Sequence, residues 1–226
     1  MFKLFIKNVG LMSTAPIITQ ILGFIVTPII SRIYTPNDFG LFAVYASIIG
    51  PIGVFSTMGY NSPIIITRSN SESNNLFFLC IVFSIIVAFL SSFIVFFSDD
   101  IINLFKIESD SLILSKYFYI IPIALLFHGF YMSFRYLNLR HKRYKFIALG
   151  NIFRFVTNNG ILLIAGFFNV ASVLFLILGD LFGGILCLSV LCIIIIPLNI
   201  NDFFKSISLN SLLAVAKRYS KFPIYI

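Results

Sequence analysis

Long apolar stretches dominate this chain and restrict what it can fold into. A helix that crosses the hydrocarbon core of a membrane needs about 20 mostly apolar residues. Short polar connections separate the stretches that reach this length. The six stretches are residues 9–33, 40–65, 76–98, 117–138, 147–168 and 173–197. The sequence therefore predicts an all-α, polytopic membrane helix bundle of about six transmembrane helices.

The composition agrees with this prediction. Of the 226 residues, 59% are hydrophobic and only 11% are charged, whereas a soluble domain usually carries about 25% charged residues. A soluble core of this length has no room for so much apolar surface, so the excess must face lipid. The first stretch exceeds the ~7–15 residues of a signal-peptide core, and we interpret it as the first span.

The distribution of Lys and Arg predicts the orientation. Cytoplasmic loops of membrane proteins are enriched in these residues. With the N-terminus inside, eleven of them lie in the cytoplasm and three outside, together with an acidic loop at Asp99–Asp110. We therefore expect both termini in the cytoplasm. The cytoplasmic set is Lys3, Lys7, Arg68, Arg140, Lys142, Arg143, Lys145, Lys205, Lys217, Arg218 and Lys221; the outer set is Arg32, Lys106 and Lys116.

The character of the chain changes after Pro197, which divides it into a transmembrane part, residues 1–198, and a final segment, residues 199–226. Charged residues interrupt this segment, and its apolar residues recur at helical spacing. An amphipathic helix on the cytoplasmic surface fits this pattern. The apolar residues are Ile200, Phe203, Phe204, Ile207, Leu212, Leu213 and Ala216.

Small residues predict where helices approach closely. Thr19, Gly23, Thr27 and Ser31 recur every fourth residue in the first span, and Gly179 and Gly183 form a GxxxG pattern in the sixth. Such residues permit tight backbone contact between helices in lipid. We interpret both sets as packing surfaces.

Two ionisable residues lie well inside spans, where they are costly and usually face a cavity or each other. From the rise per residue, Arg154 and Asp180 are separated by under about 10 Å along the membrane normal. Asn151, Arg154 and Asn158 share one helix face. This stripe is either the wall of a cavity for a polar ligand or the site of a structural Arg154–Asp180 pair. The alternative for Arg154 is a side chain that reaches to the headgroups.

His128 lies near the middle of the fourth span, where it is either a proton relay or a hydrogen-bonded residue of the bundle. We expect Arg32 and Arg135, near helix ends, to reach toward the headgroups.

The sequence contains no catalytic or phosphate-binding motif, and its three cysteines have no metal-ligand spacing. We therefore expect no enzyme activity, no cofactor and no metal. The basic residues follow the loops and accompany no nucleic-acid-binding motif, which argues against a nucleic-acid partner.

The run from Ile30 to Gly40, ISRIYTPNDFG, resembles a pattern R-x-Y/L-x-P-x-D-F/Y-G between the first two helices of bacterial polysaccharide biosynthesis proteins of the O-antigen flippase type. The late run KRYSKFP, residues 217–223, is similar to the family's R-Y-x-x-F-P run at the start of a seventh helix. A tight connection between helices explains Pro36 and Gly40, and we expect Asp38 to cap the second helix.

The resemblance implies one lobe of a two-lobe exporter in the bacterial inner membrane, with the second lobe following the cytoplasmic segment. Members flip undecaprenyl-diphosphate-linked oligosaccharide, such as O-antigen units of lipopolysaccharide. The implied partners are this lipid-linked sugar, membrane lipids, and polysaccharide polymerase or assembly proteins. A lone lobe lacks the facing wall of the cavity, so we expect no transport by it alone. The alternative is an integral membrane enzyme of the same pathway, such as a polymerase.

The predicted topology can be checked with a reporter that is active only outside the cytoplasm. Fused at Ser109 it should give signal, and fused at Lys142 it should give none. The reason is that the loop around Lys142 is rich in basic residues, whereas the loop around Ser109 is acidic. The reverse pattern would show that the orientation is wrong.

Overall fold

A computed structural model describes residues 2–67, 69–97, 117–193 and 207–225. Over these residues the fold is all-α, with no strand. The predicted acidic loop, Arg68, the end of the sixth span and residues 199–206 lie outside the described residues. The α-helices are α1 (Phe2–Ile33), α2 (Pro36–Phe55), α3 (Pro63–Ile66), α4 (Asn70–Phe96), α5 (Ile121–Arg140), α6 (Tyr144–Phe167), α7 (Val173–Cys192) and α8 (Leu209–Arg218), followed by a 3-10 helix (Phe222–Tyr225).

Five of the described helices, α1, α2, α4, α6 and α7, are long and apolar enough to cross a membrane. The fourth predicted span corresponds to α5, whose 20 residues are less apolar. Its polar residues explain the difference, because several are turned into the protein: Ser133 and Asn138 are fully buried. The Asn138 amide donates to the Leu191 carbonyl of α7 at 3.1 Å. A helix at the centre of a bundle can be polar because little of it meets lipid.

The second predicted span was too long at its end. The α2 helix ends at Phe55, and residues 56–62 form turns before Pro63 starts α3. Met58 and Gly59 both have positive φ, 47° and 69°, a conformation that ends a helix and that glycine adopts without strain. The proline sits in the first turn, where its missing N–H costs nothing. These turns, residues 141–143 and α8 form one end of the bundle, here called the α8 end.

The connection between α1 and α2 also binds α6 and α7, so it holds four helices together. We expected Asp38 to be the cap of α2, and this was wrong: Thr35 occupies that position, and Asp38 lies three residues later in a capping box. Asp38 Oδ2 accepts from the Thr35 N–H at 2.9 Å, while Oδ1 accepts from the Val173 N–H at the start of α7 at 3.1 Å. The Tyr34 hydroxyl donates to the Leu162 carbonyl of α6 at 3.2 Å. The run from Ile30 to Gly40, which resembles the family pattern, is therefore a structural junction between helices.

The GxxxG pattern packs α7 onto α6, as predicted. A Cβ on Gly183 would lie 2.9 Å from the Arg154 carbonyl oxygen, and one on Gly179 would lie 2.5 Å from Asn158 Oδ1. On α6, a Cβ on Gly150 would lie 2.9 Å from Cys187 Sγ. The two backbones are thus closer than any side chain at these positions would allow.

The small-residue stripe of α1 packs only in part. Gly23 is half-buried, and a Cβ there would lie 3.9 Å from Phe155 on α6, whereas Thr27 and Ser31 are exposed. The reason is geometric: an α-helix turns about 100° per residue, so residues four apart drift by about 40° at each step. The packed face continues instead through Val26 and Ile30.

The amphipathic helix α8 docks on the N-terminal end of α4. Val215 is buried in the largest apolar cluster, and Ser211 donates to Asn75 Oδ1 at 2.8 Å. Arg218 contacts Glu72 at 2.5 Å. Leu213, which we expected on the apolar face, is 63% exposed, because the packed face is centred on Val215.

A methyl group at Gly183 should destabilise the bundle, because it would press on a carbonyl of α6 that cannot move without moving the helix. Overpacking of this kind costs about 1–3 kcal/mol. Gly184 is the matched control, since a Cβ there meets nothing within 4 Å. We expect Gly183→Ala to lower the melting temperature of the purified protein and Gly184→Ala to leave it near the wild type. Equal melting temperatures for the two variants would show that the close contact is wrong.

Candidate functional site

The structure brings Arg154 and Asp180 into contact. Arg154, on α6, donates from Nη2 to Asp180 Oδ1, on α7, at 2.8 Å. Their side chains are 36% and 34% exposed, so each keeps a substantial surface outside the pair. The contact depends on the glycines described above, because the backbone of Arg154 rests on Gly183. The pair is therefore closed but not sealed off from its surroundings.

Two side chains of α5 complete the site. The guanidinium carbon of Arg154 lies 5.8 Å from the ring centroid of Tyr131, within the range of a cation–π contact. His128 lies three residues earlier, on the same face of α5, with its ring centroid 6.3 Å from that of Tyr131. Its imidazole also packs on Gly53 of α2, where a Cβ would lie 3.1 Å from Cδ2.

These four side chains line one cleft between α2, α5, α6 and α7, here called the inner cleft. About 40 Å³ of it is open to water, which is room for two or three water molecules. A sugar or a diphosphate does not fit in this conformation. The remaining wall is apolar: Ile49, Ala124, Phe127, Leu181 and Gly184.

Of the five predicted site residues, His128, Arg154 and Asp180 line the inner cleft, and Asn151 and Asn158 do not. Both asparagines are half-buried on α6. Asn158 packs against Gly179, so the α7 backbone covers this part of the polar stripe. Residues on one helix face thus do not all belong to one site. The α7 helix covers this face of α6 at Asn158 and leaves it open at Arg154.

Sequence reasoning did not assign Tyr131 a role. The spacing could have indicated one, since Tyr131 lies three residues after His128 and thus on the face of α5 that carries the histidine. It is 8% exposed, so its ring is a fixed support for the arginine. The described residues contain no group of three or more side chains suited to a metal ion.

The fold and this site define the class: an all-helical, multi-pass membrane protein with a charged pair inside its bundle. The model of the family described as polysaccharide biosynthesis protein matches residues 5–219. The chain therefore belongs to the polysaccharide biosynthesis protein family, as its sequence motifs suggested. No curated protein and no solved structure shows significant similarity to it.

The Arg154–Asp180 pair should be energetically coupled. Removal of one partner leaves a poorly solvated charge, which destabilises a protein strongly when the charge is fully buried. With about a third of each side chain exposed, we expect coupling toward the lower end of the usual range of about 0.5–3 kcal/mol. Arg154→Ala and Asp180→Ala should each reduce the amount of folded protein in the membrane, and the double variant should recover much of it. Additive losses would show that the pair contributes no coupling.

Proposed function

We propose that the chain forms one lobe of an exporter that flips lipid-linked oligosaccharide, such as undecaprenyl-diphosphate-linked O-antigen units, across the bacterial cytoplasmic membrane. The observation that carries this is the accessible Arg154–Asp180 pair in the inner cleft of a polysaccharide biosynthesis family member. Ionisable groups inside a membrane are expensive and mark the paths of polar solutes. The α8 end faces the cytoplasm in this proposal, in agreement with the basic residues of its loops.

Arg154 supplies the means to handle an anionic headgroup. In the closed pair its charge is neutralised by Asp180, and the inner cleft admits only water. A diphosphate that reaches the cleft competes with Asp180 for the guanidinium, because both are oxyanions that arginine binds with charge-assisted hydrogen bonds. Exchange of Asp180 for the headgroup couples substrate binding to widening of the inner cleft. Alternating access then requires no bond to be made or broken in the substrate.

The experiment measures transport in a strain that lacks its own flippase, with the full-length gene product. Loss of charge in Arg154→Ala should reduce surface polysaccharide even after correction for the amount of protein, and Asp180→Ala in the same molecule should not restore it. Ser189→Ala is the control, because this exposed side chain bonds to its own helix away from the inner cleft. Wild-type transport per molecule in Arg154→Ala would contradict the proposal.

The same strain separates a flippase from a polymerase. Failure of flipping leaves single lipid-linked units on the cytoplasmic side, hidden from a lectin added to intact spheroplasts. Failure of polymerisation leaves them outside, where the lectin binds. We expect the hidden pattern for Arg154→Ala, and lectin-accessible single units would favour the enzyme.

A further inference from the structure

A second pocket lies between α2 and α5 at the α8 end of the bundle. It is here called the outer pocket, because it lies nearer the end of the bundle than the inner cleft does. Its volume is about 330 Å³, within the range of small-molecule sites and far above that of the inner cleft. Its polar side chains come from the turns after α2 and from α5, and the 3-10 helix contributes an aromatic ring. The residues that matter here are Thr57, Asn61, Ser62, Arg135, Tyr136 and Phe222.

Arg135 is the charged residue of this pocket, and its charge has no acidic partner among the described residues. The three described carboxylates are engaged elsewhere: Asp38 at the helix junction, Glu72 with Arg218 and Asp180 with Arg154. The Arg135 Nε is buried without a hydrogen-bond partner, and such a group is costly to leave unsatisfied. Our expectation that Arg135 reaches the headgroups as an ordinary helix-end residue does not account for that buried nitrogen.

Arg140, five residues further along α5, shows how a structural arginine looks in the same region. Its Nη1 donates to the Ile64 and Thr67 carbonyls at 2.9 Å each and to the Thr67 hydroxyl, and its Nη2 donates to the Ser69 carbonyl at 3.0 Å. Those bonds fix the α3–α4 connection against α5. The two arginines therefore differ, since Arg140 makes several hydrogen bonds to the protein and the Arg135 Nε makes none to a described residue.

We propose that the outer pocket binds the phosphate-bearing headgroup of an amphiphile through Arg135. A guanidinium binds phosphate oxygens with paired, charge-assisted hydrogen bonds. Thr57, which is 2% exposed, adds a hydroxyl to the wall. Asn61 accepts the Ser62 N–H with Oδ1, which leaves its amide nitrogen as a donor. Tyr136 and Phe222 supply apolar surface for the part of the molecule next to the headgroup. The amphiphile is the lipid-linked sugar if the proposed function holds, and the inference rests on it for that identity.

Binding is tested with the purified chain in phosphatidylcholine nanodiscs, with farnesyl diphosphate as the probe. Arg135→Ala should weaken binding about tenfold or more, since hydrogen bonds to charged groups are the strong ones. Arg135→Lys should be intermediate, because lysine keeps the charge without the paired geometry. Lys145→Ala, which removes an exposed charge at the same end outside the pocket, should bind as the wild type does. If Arg135→Ala fails to fold, the isosteric Thr57→Val takes its place and should also weaken binding.

Several results would overturn the proposal. Unchanged affinity in Arg135→Ala, or in Thr57→Val if it is the substitute, shows that the outer pocket is not the site. Inorganic pyrophosphate that binds as tightly as farnesyl diphosphate shows a site for soluble phosphate and overturns the proposal. Equal competition by phosphatidylglycerol supports a headgroup site, and it contradicts the lipid-linked sugar as the amphiphile. Binding as expected, with no transport by the full-length protein, supports the pocket and contradicts the proposed function. Full transport by Arg135→Ala contradicts the pocket and leaves the function standing.

Discussion

The close contact between α6 and α7 is the constraint on which the charged site depends. Lipid offers helices no hydrophobic gain for association, so the bundle must be held by packing and by polar bonds between helices. Gly150, Gly179 and Gly183 bring the two backbones together, and only at this separation does Arg154 reach Asp180 at 2.8 Å. The junction at Asp38 fixes the same pair of helices from the other end, because its carboxylate holds the first N–H of α7.

The α5 helix differs from α6 and α7, because it is less apolar. A less apolar helix is tolerated here because α2, α4 and α7 shield α5 from lipid. One of its faces presents His128 and Tyr131 to the inner cleft, and the next turn presents Arg135 to the outer pocket. Ser133 and Asn138 are buried, and both donate hydrogen bonds to backbone carbonyls within the protein. This moderately polar helix therefore contributes side chains to both the inner cleft and the outer pocket.

Apolar length and GxxxG spacing were sufficient to predict the approximate spans and a close-packing face on α7, because both depend on local geometry. Spacing also placed Arg154 and Asp180 at similar depth. It did not show that Asn158 would be covered by α7, that Thr35 rather than Asp38 would be the cap, or that Val215 rather than Leu213 would be buried. Each of these depends on which neighbour a face meets, and helical periodicity contains no information about the neighbour. The pocket around Arg135 could not be predicted for the same reason, since the turns after α2 form part of its wall.

The two arginine sites differ in a way that suggests an order of events. The outer pocket is about 330 Å³ with an arginine that lacks an acidic partner, whereas the inner cleft is about 40 Å³ with an arginine that is already paired. In the proposed function, an anionic headgroup would meet Arg135 first, where there is room and an unneutralised charge. It gains Arg154 only by displacing Asp180, which requires the inner cleft to widen. For the proposed transport this arrangement is useful, because the Arg154–Asp180 pair would separate only when the substrate arrives and would leave no open path for smaller ions while it is closed.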